Sequence, residues 1–225
     1  MNNSKKVIAL VGLIGSGKDT VADYLQNIHH FRRESFARTL KDAVSSVFGW
    51  DRELLEGRTE YSRKWREEVD EWWAERLDMP HLTPRWVLQH WGTEVARTNF
   101  HNDIWVASLE NKLRNIKDNV VITDCRFINE IKAVQNQGGL VVRVRRGEDP
   151  HWLPYAKIYN TVENDVEKQN AKKFLDELGV HQSESGWAGC EFNYTLYNDY
   201  SLSELYEQVN SLLEDHQISI SNHLS

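Results

Sequence analysis

The chain has 225 residues, a formal net charge of -7 and a hydrophobic fraction of 40%, so it is long enough to bury a substantial core as one domain with an insertion. The acidic balance argues against a general binder of polymeric nucleic acid or of acidic membranes, because such proteins need a broad basic surface. The two cysteines, Cys125 and Cys190, have no metal-ligand neighbours, and the first residues lack a secretory leader pattern. We therefore expect a reduced, cytoplasmic setting.

A glycine-rich loop follows the first predicted strand. Val7–Val11 is a short aliphatic run, too brief to span a membrane and typical of a buried parallel strand. Gly12, Gly15 and Gly17 permit positive φ angles and close backbone approach, so several N–H groups can point into one concavity. The spacing from Gly12 to Gly17 and Lys18 is that of a P-loop, in which a helix N-terminus and a lysine hold phosphate groups.

The loop departs from the usual pattern at Asp19. Most P-loops have Ser or Thr there as a magnesium ligand, and in this chain Thr20 comes next. A carboxylate beside bound phosphates needs a cation between them, so we expect Asp19 or Thr20 to reach a magnesium ion through water. The alternative is that Asp19 only complements the helix dipole in the first helical turn.

The next part of the chain is predicted to be helical and ends in a charged insert. Hydrophobic spacing predicts a helix over Asp19–His29, a weak strand over Phe31–Phe36, and a helix through Leu40–Phe48 that Gly49 ends. Residues 50–84 or so combine many charges with tryptophans and predict a helical insert on the substrate side. The alternative for this insert is a solvated helical hairpin of mixed charge.

The tryptophans are unusually dense around this insert. Five of them are Trp65, Trp72, Trp73, Trp86 and Trp91. Large aromatic side chains are more often buried in a core or an interface than exposed, so we expect core burial for most of them. A homodimer interface is the other interpretation of their density.

A further helix is predicted to begin at Thr83 and Pro84, a capping side chain followed by proline at the first helical position. Its inward stripe is predicted to be Val87, Leu88, Trp91 and Val95.

A second buried strand, Asn119–Asp124, ends in a carboxylate and is followed by Arg126. If this strand lies beside the P-loop strand, Asp124 lies at the carboxyl edge of the sheet, where open α/β sheets bind ligands. Arg126 can then make forked hydrogen bonds to phosphate, and a surface ion pair is the alternative. Arg145 and Arg146 follow a later strand, with simple solvation as their alternative.

The remaining elements continue the alternation of strands and helices. They are a helix over Phe127–Gln137, a strand over Leu140–Val144, a mobile lid at about 145–181 with a polar helix over Val162–Leu178, a strand over Tyr194–Tyr197, a helix capped by Ser201 and Glu204, and a frayed tail after Gln217. This alternation predicts an α/β fold with a doubly wound, mostly parallel sheet.

Several stretches along the chain together form a family pattern. They are Gly15–Thr20, Phe36–Lys41, Leu88–Glu94 with Arg97, Asp103–Val106 and Val121–Arg126. In combination they resemble the deoxynucleoside monophosphate kinases of tailed bacteriophages, and the similarity spans most of the chain but is poor between Trp50 and Pro80. The resemblance implies a P-loop NTPase-type three-layer sandwich with a helical insert and a lid.

The resemblance also implies an activity and a set of roles. The γ-phosphoryl group of ATP would pass to a deoxynucleoside 5′-monophosphate with the help of magnesium, in the host cytoplasm if the chain is phage-encoded. The ATP-binding residues would be Gly12, Gly15, Ser16, Gly17, Lys18, Asp19, Thr20 and, by the adenine, Asn198. The catalytic residues would be Lys18, Arg126 and Arg146, the metal site would use Asp124 with Asp19 or Thr20, and the monophosphate would be held by Arg38, Lys41, Gln89, Arg97 and Arg126.

Other interpretations of the loop stay open. The chain has no Asn-Lys-x-Asp motif for reading guanine, which disfavours a GTPase. Arg38 and Arg97 lie on predicted helices and could equally pair with nearby carboxylates. One rival is a P-loop kinase of a phosphorylated metabolite that is not a nucleotide, such as phosphomevalonate. Another is a nucleotide-dependent switch or assembly protein that signals through the tryptophan-rich insert.

Overall fold

A parallel sheet organises the computed structural model, which describes residues 5–218 apart from the side chain of Ser183. The strands are β1 (Val7–Val11), β2 (Arg32–Glu34), β3 (Val120–Ile122), β4 (Leu140–Arg145) and β5 (Tyr194–Tyr197). Within the described residues these five strands are all parallel and pair in the order β2-β3-β1-β4-β5. The predicted α/β fold with a mostly parallel sheet is therefore confirmed.

Helices fill most of the remaining chain. In chain order they are α1 (Lys18–Asn27), α2 (Arg38–Phe48), α3 (Arg52–Glu56), α4 (Glu60–Trp65), α5 (Glu71–Leu77), α6 (Pro84–His90), α7 (Ile104–Leu113), α8 (Ile128–Asn136), α9 (Leu153–Thr161), α10 (Asp165–Glu177), α11 (Gln182–Ser185) and α12 (Leu202–Asp215). A π-helical segment, Trp91–Thr98, continues α6. No helix in residues 5–218 is both long and apolar enough to cross a membrane. The frayed tail predicted after Gln217 falls almost wholly outside the described residues.

The described chain divides into two compact units. Phe36–Asn115 forms the helical unit, and the rest of the described residues form the sheet unit. The expectation of one domain, with an insert at about 50–84 and a lid at about 145–181, stays a prediction. The helical unit begins and ends outside the predicted insert, because α2, α6 and α7 pack with it.

The core of the sheet unit lies between the strands and two helices. Every residue of β1 is buried, as expected for a strand that has a parallel neighbour on each side. Ile8 and Leu10 pack in one cluster with Leu25 of α1 and Leu205 of α12. The helix α8 packs against β1 and β4. The P-loop strand is thus the central strand of the sheet.

The local signals that set helix boundaries are confirmed. Gly49 ends α2 in the left-handed conformation, with φ 71. The Thr83 side chain accepts a hydrogen bond from the Trp86 N–H at the start of α6, where Pro84 is the first residue. Ser201 and Glu204 form the predicted capping box of α12.

One expectation about an apolar side chain is wrong, and one tryptophan is exposed. Val95, predicted on an inward stripe, is 45% exposed because it lies in the π-helical segment, whose wider turns move it off the 3.6-residue stripe. Trp72 is 62% exposed, whereas core burial was expected for most of the five tryptophans. The other four tryptophans named above pack partly buried against the core of the helical unit, as predicted.

Polar contacts hold the short helices of the helical unit around this aromatic core. Asp51, Thr59 and Asp70 cap α3, α4 and α5 with their side chains. The Trp50 indole N–H donates to the Asp70 carboxylate at 2.7 Å, so this buried ring keeps a hydrogen-bond partner. This part of the chain thus consists of short capped helices. Hydrophobic periodicity detects long amphipathic helices more easily than short ones.

Candidate phosphate-binding site

The loop after β1 has the tight backbone that the glycine spacing predicts. Gly12 and Gly17 have φ angles of 144 and 103, in the region that glycine favours. A Cβ at Gly12 would collide with the Val144 carbonyl of β4, and a Cβ at Gly17 would collide with the Asn198 amide. The Asn198 side chain donates to the Ser16 carbonyl at 3.0 Å. The chain after β5 therefore fixes the shape of the loop.

Ser16 has a buried hydroxyl group with no partner in the described part of the chain. The residue is 3% exposed, and its Oγ has no hydrogen-bond partner. A buried hydroxyl without a hydrogen bond lowers the stability of the fold, so such a group commonly binds a ligand or a water molecule. A phosphate oxygen in the loop fits this requirement, because the loop amides and the N-terminus of α1 also favour an anion.

Lys18 lies folded against the loop. Its Nζ donates to the carbonyl oxygens of Gly12 at 2.9 Å and Leu13 at 2.7 Å. Burial and the positive charge of Arg126 lower the pKa of Lys18 to about 8, while Asp19 opposes the shift. A bound phosphate would supply the negative charge that these two cations lack.

The Asp19 carboxylate contacts Arg33 on β2, a residue that sequence reasoning missed. The same guanidinium contacts Asp23 at 2.7 Å, so Arg33 bridges two carboxylates of α1. No local sequence signal predicts this contact, because the side chains of β2 and α1 come together only when the chain folds. A magnesium role for Asp19 stays a prediction, and the ion would share this carboxylate with Arg33.

Asp124 and Arg126 follow β3 at the carboxyl edge of the sheet, as predicted. The strand β3 pairs with β1 in parallel, with Ile122 opposite Ala9, so the chain after β3 and the P-loop leave the sheet at the same edge. The Arg126 side chain is exposed and has no carboxylate within ion-pair distance among the described residues. The surface ion pair considered for Arg126 is therefore absent from this part of the chain.

Glu130 fixes the turn that carries Arg126. This carboxylate is 2% exposed and accepts hydrogen bonds from the backbone N–H groups of Arg126 at 2.8 Å and Phe127 at 3.1 Å. Sequence reasoning missed it, although a glutamate at the third position of a helix is the acidic half of a capping box. A buried carboxylate behind the turn holds the Arg126 backbone in place.

The arginines after β4 differ from one another. Arg143 and Arg145 both pair with Asp149, and the Arg143 guanidinium also lies 5.1 Å from the ring centroid of Trp187. Arg146, predicted to close from the lid, is exposed and has no ion pair among residues 5–218. Its catalytic role and the lid motion stay predictions.

The predicted monophosphate-binding residues other than Arg126 belong to the helical unit. They are Arg38, Lys41, Gln89 and Arg97. Lys41 pairs with Glu56 at 2.7 Å, and Arg52 pairs with the same carboxylate at 2.6 Å. Burial raises the pKa of Glu56, but Lys41 and Arg52 together outweigh it and lower that pKa to about 2. Lys41 is therefore held by a protein carboxylate in this structure.

Protein side chains alone do not form a metal cage in the described part of the chain. Residues 5–218 contain no group of three or more His, Cys, Asp or Glu side chains placed to hold a metal ion. Magnesium beside phosphates usually keeps several waters and uses one or two carboxylates or hydroxyls. Asp124 and Thr20 carry oxygen atoms of that kind, and their part in a magnesium site stays a prediction.

Comparison with known proteins gives a sequence relative of comparable length. No family model matches the chain. The chain is 26% identical over 223 residues to the "Putative deoxynucleotide monophosphate kinase" of Acanthamoeba polyphaga mimivirus, across 93% of this chain and 96% of that protein. A tailed-bacteriophage affiliation stays a prediction.

Solved structures of shikimate kinases are also similar to the chain. The enzyme of Acinetobacter baumannii in complex with shikimate is 15% identical, with a TM-score of 0.42 over 96% of this chain and 97% of that one. The enzyme of Aquifex aeolicus is 14% identical, with a TM-score of 0.41 over 95% of this chain and 99% of that one.

Proposed function

We propose that the chain is a kinase that transfers the γ-phosphoryl group of ATP to a deoxynucleoside 5′-monophosphate. The observation that carries this proposal is a glycine loop in which the buried Ser16 hydroxyl has no partner among residues 5–218. Lys18 of the same loop also feels the positive charge of Arg126. Such a loop is suited to a polyphosphate. The viral relative supports the acceptor class, because it is named as a "Putative deoxynucleotide monophosphate kinase".

The loop from Gly12 to Thr20 would hold the phosphates of ATP. Its amides and the N-terminus of α1 favour the β- and γ-phosphates, and the Lys18 ammonium lies in the same loop. Asn198 would lie beside the adenine. Magnesium, when bound by Asp124 and Thr20 or Asp19 through water, neutralises charge on the transferred group.

Arg126 would bridge the donor and acceptor phosphates. Its planar guanidinium can donate to two phosphates at once, which an ammonium group does less well. Arg146 would close over the same groups from the lid, and Arg38, Gln89 and Arg97 would hold the monophosphate. Lys41 would act with its partner Glu56, because the two side chains already form an ion pair.

The reaction needs orientation more than acid or base catalysis. An oxygen of the acceptor phosphate attacks the γ-phosphorus, the bond to the β,γ-bridging oxygen breaks, and ADP leaves with that oxygen. The acceptor is already an anion at neutral pH, so no residue has to remove a proton. Alignment by the arginines and exclusion of water by a closing lid would provide the acceleration.

A coupled assay of ADP formation tests the proposal. The purified chain is mixed with ATP and magnesium, and with each of the four common deoxynucleoside monophosphates, with phosphomevalonate, or with no acceptor. We expect ADP formation that depends on at least one monophosphate, with the diphosphate product visible by ³¹P NMR. Turnover with phosphomevalonate alone, or phosphate release that needs no acceptor, would contradict the proposal.

A further inference from the structure

Residues 185–188 form a buried connector between α11 and β5. All four are buried, whereas Gln182 before them and Gly189 after them are exposed. Connecting segments normally run over the surface of a protein, because buried backbone groups need hydrogen-bond partners. A buried connector therefore has a structural reason, which its contacts show.

Two neighbouring elements hold the buried connector. The Asn160 side chain of α9 donates to the carbonyl oxygens of Ser185 at 2.8 Å and Ala188 at 3.0 Å. The Trp187 ring is 2% exposed, and its centroid lies 5.1 Å from the guanidinium carbon of Arg143 on β4. Contacts to α9 and β4 thus fix the connector.

Gly186 of the buried connector lies against the turn that carries Arg126. A Cβ at Gly186 would lie 2.8 Å from the Arg126 carbonyl oxygen and 3.3 Å from Cδ1 of Phe127, whereas ordinary contacts of a Cβ begin at 3.4 Å. The φ of Gly186 lies outside the left-handed region, so space and not backbone conformation requires glycine. The nearest atom belongs to the main chain and cannot move aside like the end of a side chain.

The main chain of Arg126 is therefore held on two sides. Its N–H donates to the buried Glu130 carboxylate at 2.8 Å, and its carbonyl oxygen faces Gly186. The Arg126 side chain is exposed. A group that acts by alignment needs such support, because a displacement of about 1 Å can lower a rate by about a hundredfold.

We propose that Gly186 is a positioning residue for Arg126. The close approach of the buried connector sets the position of the turn and, through it, the direction in which the Arg126 guanidinium points during phosphoryl transfer. Asn160 keeps the connector in place, and Gly186 itself contacts no substrate. The effect on phosphoryl transfer rests on the proposed function, whereas the effect on the turn does not.

Steady-state kinetics of Gly186→Ala test this role. The added Cβ displaces the Arg126 turn, so we expect kcat with the accepted monophosphate to fall by about tenfold while the KM for ATP stays unchanged. The matched control is Gly139→Ala, whose Cβ would lie 3.0 Å from the carbonyl oxygens of Val134 and Val7. Gly139 precedes β4, at the other edge of the sheet. We expect this control to lower the melting temperature and to leave kcat unchanged.

A double-mutant cycle shows whether Gly186 acts through Arg126. In the Arg126→Gln background we expect Gly186→Ala to change kcat by less than about twofold, because no guanidinium remains to be positioned. A tenfold loss in both backgrounds would mean that Gly186 acts elsewhere, and the proposal would be wrong. Equal kcat for Gly186→Ala and the parent would also overturn it.

Asn160→Ala keeps the test decisive if Gly186→Ala does not fold. This variant removes the donor to Ser185 and Ala188 without adding an atom. We expect kcat to fall by about threefold, because the connector loses two hydrogen bonds but is not pushed against the turn. The loss should again vanish in the Arg126→Gln background. If Asn160→Ala lowers only the melting temperature, the connector merely packs and the proposal is wrong.

Hydrogen exchange without nucleotides separates this inference from the proposed function. Relative to the amides of β1, we expect the Arg126 and Phe127 amides to exchange about tenfold faster in Gly186→Ala than in the parent, and not in Gly139→Ala. If no monophosphate is phosphorylated but this difference is seen, the positioning of the turn stands and the kinase proposal fails. If monophosphates are phosphorylated and Gly186→Ala has the kcat of the parent, the kinase proposal stands and this one fails.

Discussion

The cations of the phosphate loop and the two cations beside Glu56 in the helical unit differ in their partners. Among the described residues, Lys18 of the loop donates only to main-chain carbonyls and Arg126 has no ion pair, so neither cation is paired with a carboxylate. In the helical unit, Lys41 and Arg52 converge on Glu56. The first arrangement favours binding of an anion, and the second favours stability of the fold.

This difference explains which parts of the site the sequence could predict. The loop could be predicted from spacing, because glycines at fixed positions after a strand permit the backbone that is typical of a P-loop. The ion pairs of the helical unit depend on which helices pack together. A sequence pattern cannot specify that Lys41 meets Glu56, or that Arg33 meets Asp19, since those contacts arise only after folding.

The largest expected effect comes from the loop lysine. Replacing Lys18 by Ala removes the cation nearest the phosphates, and we expect kcat for the monophosphate to fall by about a thousandfold, a typical effect of losing such a charge. Circular dichroism checks that the fold persists. The control is Lys132→Ala, an exposed lysine of α8 in the same unit. Near-normal turnover of Lys18→Ala would remove Lys18 from the mechanism.

Variants of Arg126 distinguish a requirement for positive charge from a requirement for a guanidinium that donates to two phosphates. We expect Arg126→Lys to lower kcat by about 10- to 100-fold, because lysine cannot donate to two phosphates in one plane. Arg126→Gln should lose more, since it also removes the charge. The measurement is steady-state kinetics with ATP and the monophosphate each varied. Equal activity of Arg126→Lys and the parent would rule out bridging.

In the helical unit the expected effect is on stability. Glu56→Gln leaves Lys41 and Arg52 without their shared carboxylate, and we expect the free energy of unfolding to fall by about 2 kcal/mol at neutral pH. Urea denaturation measures this, with Glu53→Gln, an exposed glutamate of α3, as the control. If both variants unfold at the same urea concentration, the pair contributes nothing measurable.

The same carboxylate has a defined pH window. Its pKa is lowered on folding to about 2, so its stabilisation is complete above its ordinary pKa near 4.5 and is lost as the pH falls from there towards 2. We expect the parent to lose stability faster than Glu56→Gln over this interval. If the two proteins lose the same amount of unfolding free energy over this pH interval, the shared ion pair is not the cause.

The smallest effect concerns the protonation of Lys18. Because the pKa of Lys18 in the free protein is lowered to about 8, most of the molecules hold a charged lysine at pH 7 and a neutral one at pH 9. We expect ATP affinity to fall by about tenfold over that range. Calorimetry at pH 8 in buffers of different ionisation enthalpy should show proton uptake on binding. Lys18→Met should show neither effect.

The fold itself was largely predictable from local patterns. The bounds predicted for the strand Tyr194–Tyr197 and the end of α2 at Gly49 are those of the structure, because strand propensity and a left-handed glycine act within a few residues. The exposure of Val95 was not predictable, since a π-helical segment breaks the 3.6-residue period. The buried Glu130 had a signal, its position three residues after Phe127, which hydrophobic periodicity does not detect.

The contact between Asn198 and Ser16 joins a residue near the end of the chain to a loop near its beginning. During synthesis the ribosome releases the glycine loop long before it releases Asn198 and the strand that precedes it. A nascent chain therefore has its glycine loop without this hydrogen bond for most of translation. The loop can gain this hydrogen bond only after β5 has joined the edge of the sheet. A chain that terminates before β5 would therefore contain the glycine motif but lack the hydrogen bond from Asn198 to Ser16.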